Sequence, residues 1–164
     1  METNHEDNRR KLRDLIKGIK FAMLTTVDAK GALRSRPMTT LEADEGGDLW
    51  FFTAADEPKV EDIRREEQVN VAYADPGDNR YVSVSGRARL VRDRAKIKEL
   101  WRPIYKAFFK EGLEDPRLAL LRVTAHEAEY WDSPSNFVTQ TIRMVQTLLT
   151  GDESHMGDNA KLKL

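Results

Sequence analysis

Tyr81-Val82-Ser83-Val84-Ser85-Gly86-Arg87-Ala88-Arg89-Leu90-Val91 sets apolar Val82, Val84, Ala88 and Leu90 against Tyr81, Ser83, Ser85, Arg87 and Arg89. Successive side chains leave opposite faces of a strand, so this period of two is a β-strand with one face turned to a core. Upstream, Asp75-Pro76-Gly77-Asp78-Asn79 is dense in turn residues and joins the strand to Val69–Ala74 as a hairpin. Before that, Asp56 with Pro58 just inside starts a short helix to about Glu67, with Val60 and Ile63 as its apolar stripe. Leu49-Trp50-Phe51-Phe52-Thr53 reads as another strand, reached through the loop Glu42 to Asp48 with its Gly46-Gly47 pair. Phe21–Val27 and Ala32–Leu41 form a second hairpin across Asp28-Ala29-Lys30-Gly31. Leu12, Leu15, Ile16 and Ile19 recur at helical spacing, giving an amphipathic helix over about Asp7–Lys17, ended by Gly18.

Downstream, a helix from about Asp93 carries Ile97, Leu100, Trp101 and Ile104 or Tyr105, and Pro103 should kink or break it. Leu118–Val123 and Ala128–Trp131 read as the last two strands. Ser133-Pro134 then caps a final helix whose apolar face holds Phe137, Val138, Thr141, Ile142, Val145, Leu148 and Leu149. The sequence thus predicts a single domain over residues 1–150 with N- and C-terminal helices, and a polar, frayed tail over 151–164. About six or seven short strands joined mostly by hairpin loops give a mainly β fold with α, a closed or partly closed antiparallel barrel with helices outside.

The chain has 164 residues and a net charge of -1, with 40% hydrophobic and 34% charged residues. That composition excludes disorder, and no apolar run approaches the roughly 18 residues of a membrane helix. No signal core opens the chain and it has no cysteine, so the expected location is the cytoplasm and no membrane partner is expected. Disulfides, thiolate nucleophiles and Cys-based metal sites are absent with it. The neutral sum hides twelve acidic and three basic residues over 42–78, against ten basic and two acidic over 80–110. Such blocks can meet within the fold, face across a dimer, or leave a basic surface for an anion.

No Gly-x-Gly-x-x-Gly, Walker loop or Gly-x-Ser-x-Gly elbow is present, and His5, His126 and His155 are too scattered for a three-histidine metal site. No metal is expected and no catalytic side chain is assigned. If the chain is an enzyme, its redox or electrophilic centre comes from a cofactor. Three places could hold one. Arg34, Arg36 and Met38 share a strand face, where paired guanidiniums suit a phosphate or, equally, ordinary ion pairs to the acidic block. Lys59 stands in the first turn of a helix just after Thr53, where free N–H groups favour an anion; a salt bridge to a nearby acid is the alternative. Tyr81, Ser83 and Ser85 present hydroxyls on one face, and Trp131 ends a strand with an amphipathic ring; core rim or subunit contact is the plainer use of both.

Together these elements resemble the flavin-binding split barrels related to pyridoxamine 5'-phosphate oxidase, and within them the general stress protein 26 group. The likeness rests on Arg34-Ser35-Arg36-Pro37-Met38, Trp50-Phe51-Phe52-Thr53-Ala54, the Lys59-led helix, Val69-Asn70-Val71-Ala72-Tyr73, Tyr81 to Ala88, and Glu129-Tyr130-Trp131-Asp132, in that order over about Leu12 to Asp132. It implies an antiparallel split β-barrel with peripheral helices that binds FMN between two subunits of a homodimer, with FAD or a deazaflavin as alternatives. It also implies a small-molecule redox partner. The matching cofactor residues are Ser35, Arg36, Pro37, Met38 and Thr39 beside the ribityl, phosphate and ring edge; Phe52 and Thr53; Lys59 at the phosphate; and Tyr81 and Trp131, with Tyr81 standing where the oxidase has a Gln near the flavin of the second subunit.

Two departures from that pattern matter. Glu57 and Pro58 replace the Ser and Arg that precede the lysine in the oxidase, and after Trp131 the chain continues Asp132-Ser133-Pro134 in place of an Arg-x-His segment. The resemblance therefore implies no vitamin B6 substrate site. It implies a flavin-dependent oxidoreductase or, alternatively, a stress protein that binds flavin without turnover. A nucleic-acid binder using the 80–110 basic block ranks below both, since that block lacks interleaved aromatic residues.

Overall fold

The computed structural model describes residues 2–41, 43–133 and 158–164. The chain runs α1 (Glu2–Ile16), β1 (Phe21–Val27), β2 (Leu33–Thr39), β3 (Leu49–Ala54), α2 (Pro58–Arg65), β4 (Gln68–Asp75), β5 (Arg80–Val91), α3 (Arg94–Leu100), 3-10 turns at Pro103–Ala107 and Gly112–Glu114, β6 (Leu118–Asp132) and β7 (Asp158–Lys163). All pairings are antiparallel, in the order β2-β1-β4-β5-β6-β3, with β7 also on β6. This is the antiparallel split barrel with peripheral helices that the sequence predicts.

The two strands expected over Leu118–Val123 and Ala128–Trp131 are one, β6. Its register against β5 slips between Ser85 and Gly86, where Ser85 faces Glu127 and Gly86 faces Ala125. The bulge breaks the alternation at Thr124 to His126 without breaking the strand. Along its other edge β6 pairs β3 through Leu118–Val123 and β7 through Glu127–Asp132. Of the frayed tail predicted over 151–164, the part from Asp158 to Lys163 is instead the strand β7, with Leu162 buried in the main core, and residues 151–157 lie outside the described residues. The helix expected from Pro134 to Leu149 lies outside the described residues.

Helix α1 presses Leu12, Leu15 and Ile16 onto the inward row Leu24, Val71, Val84 and Ala128, which registers directly across β1, β4, β5 and β6. A second cluster, Trp50, Ala54, Ile97, Tyr105, Phe109, Leu118 and Leu120, lies on the other face of β3 and β6 under α3. With both faces covered, β3 is buried along its length rather than alternating, and Thr53 is its one polar residue. Asp93 caps α3 by accepting from the Ala95 and Lys96 amides, and the helix stops at Leu100 as Pro103 approaches, giving way to a 3-10 turn. The N-cap position of α2 is held by Glu57 rather than Asp56, and the Glu57 side chain makes no capping hydrogen bond.

The two charge blocks meet across the β4–β5 hairpin. Arg80 pairs with Asp75 and Arg89 with Glu67, each at 3.1 Å. Adjacent antiparallel strands bring the end of one block against the start of the other, so neutral balance is partly local pairing.

Candidate functional site

Arg36 leaves β2 on the inward side, in register with Leu24, but at the sheet's edge, where its guanidinium is half-buried rather than packed in the core. It is braced against β1, donating from Nη1 to Thr26 Oγ1 at 2.7 Å and to the Leu24 carbonyl at 3.3 Å. Thr26 is fully buried, so the arginine supplies a hydroxyl that would otherwise lack a partner. Burial pushes the Arg36 pKa down, while Asp62 and Glu57 of the α2 region push it back up.

Of those two carboxylates, Glu57 links Arg36 to Lys59. Pro58 opens α2, and Lys59 follows in its first turn with only 8% exposure. The Lys59 ammonium is ion-paired with Glu57. Asp62 is also buried and holds Arg65 at 2.5 Å. Thr53, at the end of β3, is buried, with its hydroxyl bonded at the long limit, 3.4 Å, to the Ala54 carbonyl. A half-buried guanidinium and a buried ammonium thus share one carboxylate, Glu57, which also accepts from the Ala54 amide next to the weakly engaged Thr53 hydroxyl. Side chains of this kind suit a phosphate, whose oxygens need charge-assisted donors where water is scarce.

Phe52 does not join them through its side chain. It leaves β3 on the face opposite Thr53 and packs on Tyr105 and Trp101, with ring centroids at 4.4 and 5.7 Å. Met38 is buried in the main core, one step along the same face as Arg36.

The other expected residues lie on the outside of the sheet. Pro37 registers with Met23, Met23 with Ala72, and Ala72 with Ser83, while Tyr81 registers with Ala74 on one side and Trp131 on the other. Ser35 and Thr39 share this face, and the Ser35 and Thr25 hydroxyls are 2.7 Å apart. Tyr81 and Trp131 are 41% and 42% exposed, and Phe21 is 64% exposed. A single chain therefore gathers Arg36, Thr53 and Lys59 at the sheet edge but sets Ser35, Pro37, Thr39, Tyr81 and Trp131 on the far side of the same sheet. A cavity of about 710 Å³ beside the end of α1 is lined by Ile19, Phe21, Thr39, Leu41 and Tyr105 among others. It shares Thr39 with the predicted set and lies apart from the two cations.

Sequence reasoning missed Thr26, Glu57 and Asp62 as members of the site. Thr26 was readable as a polar residue at an inward position of β1, following Ala22 and Leu24. The sequence offers Asp62 only as one of several acids that could pair with Lys59, and Glu57 only as a departure from the family pattern; Glu57 takes the lysine, Asp62 takes Arg65, and nothing in their spacing says that β2 delivers Arg36 to them.

Residues 7–155 match the family described as pyridoxamine 5'-phosphate oxidase like. Protein bli-3 of Neurospora crassa is 34% identical over 142 residues, covering 80% of this chain and 68% of that one. The general stress FMN/FAD binding protein of Xanthomonas citri is 31% identical, with a TM-score of 0.67, and covers 84% of this chain and 94% of its own. A Clostridium acetobutylicum protein related to general stress protein 26 has the same fold, with a TM-score of 0.71 at 19% identity, and covers 97% of this chain and 96% of its own. A match that runs from residue 7 to residue 155, on a barrel of this topology, places this chain in the pyridoxamine 5'-phosphate oxidase-like family.

Proposed function

We propose that the chain is a flavin-binding stress protein of oxidoreductase type, holding FMN by its phosphate between Arg36 and Lys59 at a homodimer interface. The observation that carries this reading is the pair of cations, half-buried Arg36 on β2 and buried Lys59 in the first turn of α2, that share the Glu57 carboxylate at the sheet edge. Thr53 adds a hydroxyl beside them. Tyr81 and Trp131 lie on the opposite side of the sheet, so they reach a flavin only when a second copy presents them. The exposed row of Phe21, Met23, Tyr81 and Trp131 supplies the apolar contact such a pairing needs. FMN is preferred to FAD or a deazaflavin because a terminal phosphate answers two cations at one place. When bound, the flavin supplies hydride and electron chemistry toward a small redox partner; the residues of the chain bind and orient it. Among the described residues no helix is long and apolar enough to cross a membrane, and a cytoplasmic setting belongs to this proposal.

The test is an absorption spectrum of the purified protein, followed by heat release and identification of the chromophore. Bound FMN, or its stoichiometric uptake on titration, is the expected result. A colourless protein that takes up no flavin overturns the reading. A second reading, a flavin reservoir without turnover, is favoured by the carboxylate of Glu57 standing against Lys59 where a phosphate would bind. Holoprotein that NADH, NADPH and reduced deazaflavin all fail to reduce would select it.

A further inference from the structure

We propose that Glu57 is a resident counter-ion of the phosphate site, displaced when a phosphorylated flavin binds, and so the residue that sets how loosely FMN is held. The proposal rests on the flavin reading above and deepens it.

Lys59 is nearly buried, and an unpaired ammonium there would be costly. Glu57 meets that need from two positions away. The carboxylate is nonetheless poised to leave. It is 45% exposed, makes no side-chain cap to α2, and is otherwise held by a 3.4 Å hydrogen bond from the Ala54 amide. Asp62, the other carboxylate acting on Arg36, is buried and tied to Arg65, so it has no such freedom. A phosphate dianion and the Glu57 carboxylate cannot share the Lys59 ammonium at contact distance without like-charge repulsion. The lysine's net gain on binding phosphate is therefore its attraction to the phosphate less its attraction to Glu57. Pro58 fixes the backbone at the helix start, so the side chain of Glu57 can be exchanged without moving Lys59.

Riboflavin, which lacks the phosphate, is the control. In the wild-type chain, FMN should bind no more than about 10-fold more tightly than riboflavin, because the phosphate must evict an anion. Glu57→Gln, which keeps the shape and removes the charge, should tighten FMN by about 10-fold or more and leave riboflavin within about twofold. In Glu57→Gln/Lys59→Met the gain for FMN should vanish, since it acts through the lysine. Unchanged or weakened FMN binding in a folded Glu57→Gln protein overturns the proposal. So does a wild-type preference for FMN over riboflavin of about 1,000-fold or more, a measurement that needs no variant to fold. Failure of the wild-type chain to bind either flavin overturns the flavin reading itself and is told apart from both.

Discussion

Arg36 and Lys59 carry similar charge but are held by different partners, and their removal should read differently. Arg36 braces the buried Thr26 hydroxyl as well as facing the site. Arg36→Ala should weaken FMN binding by about 1 kcal/mol and also lower stability by about 1 kcal/mol, because it leaves that hydroxyl unpartnered. Lys59→Met should cost FMN less than about 1 kcal/mol, because the lost attraction to the phosphate is offset by the lost attraction to Glu57, and stability should change little, since the change removes a buried charge and frees the half-exposed Glu57 to hydrate. Flavin titration and thermal melts on both variants test this, and wild-type affinity in both would remove the phosphate site from Arg36 and Lys59. Tyr73 gives a residue-scale prediction of the opposite sign. It is buried with a hydroxyl that has no hydrogen-bond partner among the described residues, and burial drives its pKa well upward. Tyr73→Phe deletes an unsatisfied polar atom, so it should leave stability unchanged or raise it by up to about 1 kcal/mol. A melting temperature several degrees lower would show that the hydroxyl is engaged.

Among the elements, β6 shows both what the sequence reveals and what it hides. A Cβ at Gly86 would stand 2.5 Å from the Thr124 carbonyl oxygen, so the β5 backbone reaches β6 at the bulge only because this position has no side chain. Gly86→Ala should therefore destabilise the protein by about 1–3 kcal/mol, read as a lower melting temperature. A melt unchanged by that substitution would mean that the bulge relaxes freely. The strand Tyr81–Val91 was legible because alternation survives wherever one face is buried and the other is not. The continuity of β6 was not, because an extra residue in a bulge shifts the alternation and looks like a strand end. β7 was hidden for a different reason. Asp158 to Lys163 is polar, and its pairing with β6 comes from backbone hydrogen bonds and one buried leucine, Leu162, which composition does not report. The site divides in the same way: Arg36, Thr53 and Lys59 could be named from local signals, whereas Thr26 and the approach of Arg36 to Glu57 and Asp62 come from contacts between β1, β2 and α2 that no local window contains.

At the scale of the molecule, the outer face of the barrel bears on whether the cofactor site is complete in one chain. Phe21, Met23 and Pro37 from β1 and β2, with Tyr81 and Trp131 from β5 and β6, expose rings and aliphatic groups on one side of a continuous sheet. Scattered apolar side chains on a surface are ordinary, but a row spanning successive strands is what an interface between copies requires. Stable pairs bury roughly 1,200–2,000 Å² in total, which a sheet face of this kind can supply. The proposed flavin site then spans two chains, with Arg36 and Lys59 from one and Tyr81 and Trp131 from the other. Met23→Lys places a charge in the middle of that face while sparing every residue assigned to the flavin. Light scattering should give about twice the 18.9 kDa chain mass for the wild type and the single-chain mass for the variant. Titrated with FMN, the monomeric variant should bind at least about 10-fold more weakly, because half of the site has left with the partner. A monomer that keeps wild-type FMN affinity would place the whole site within one chain and leave Tyr81 and Trp131 without a role in it.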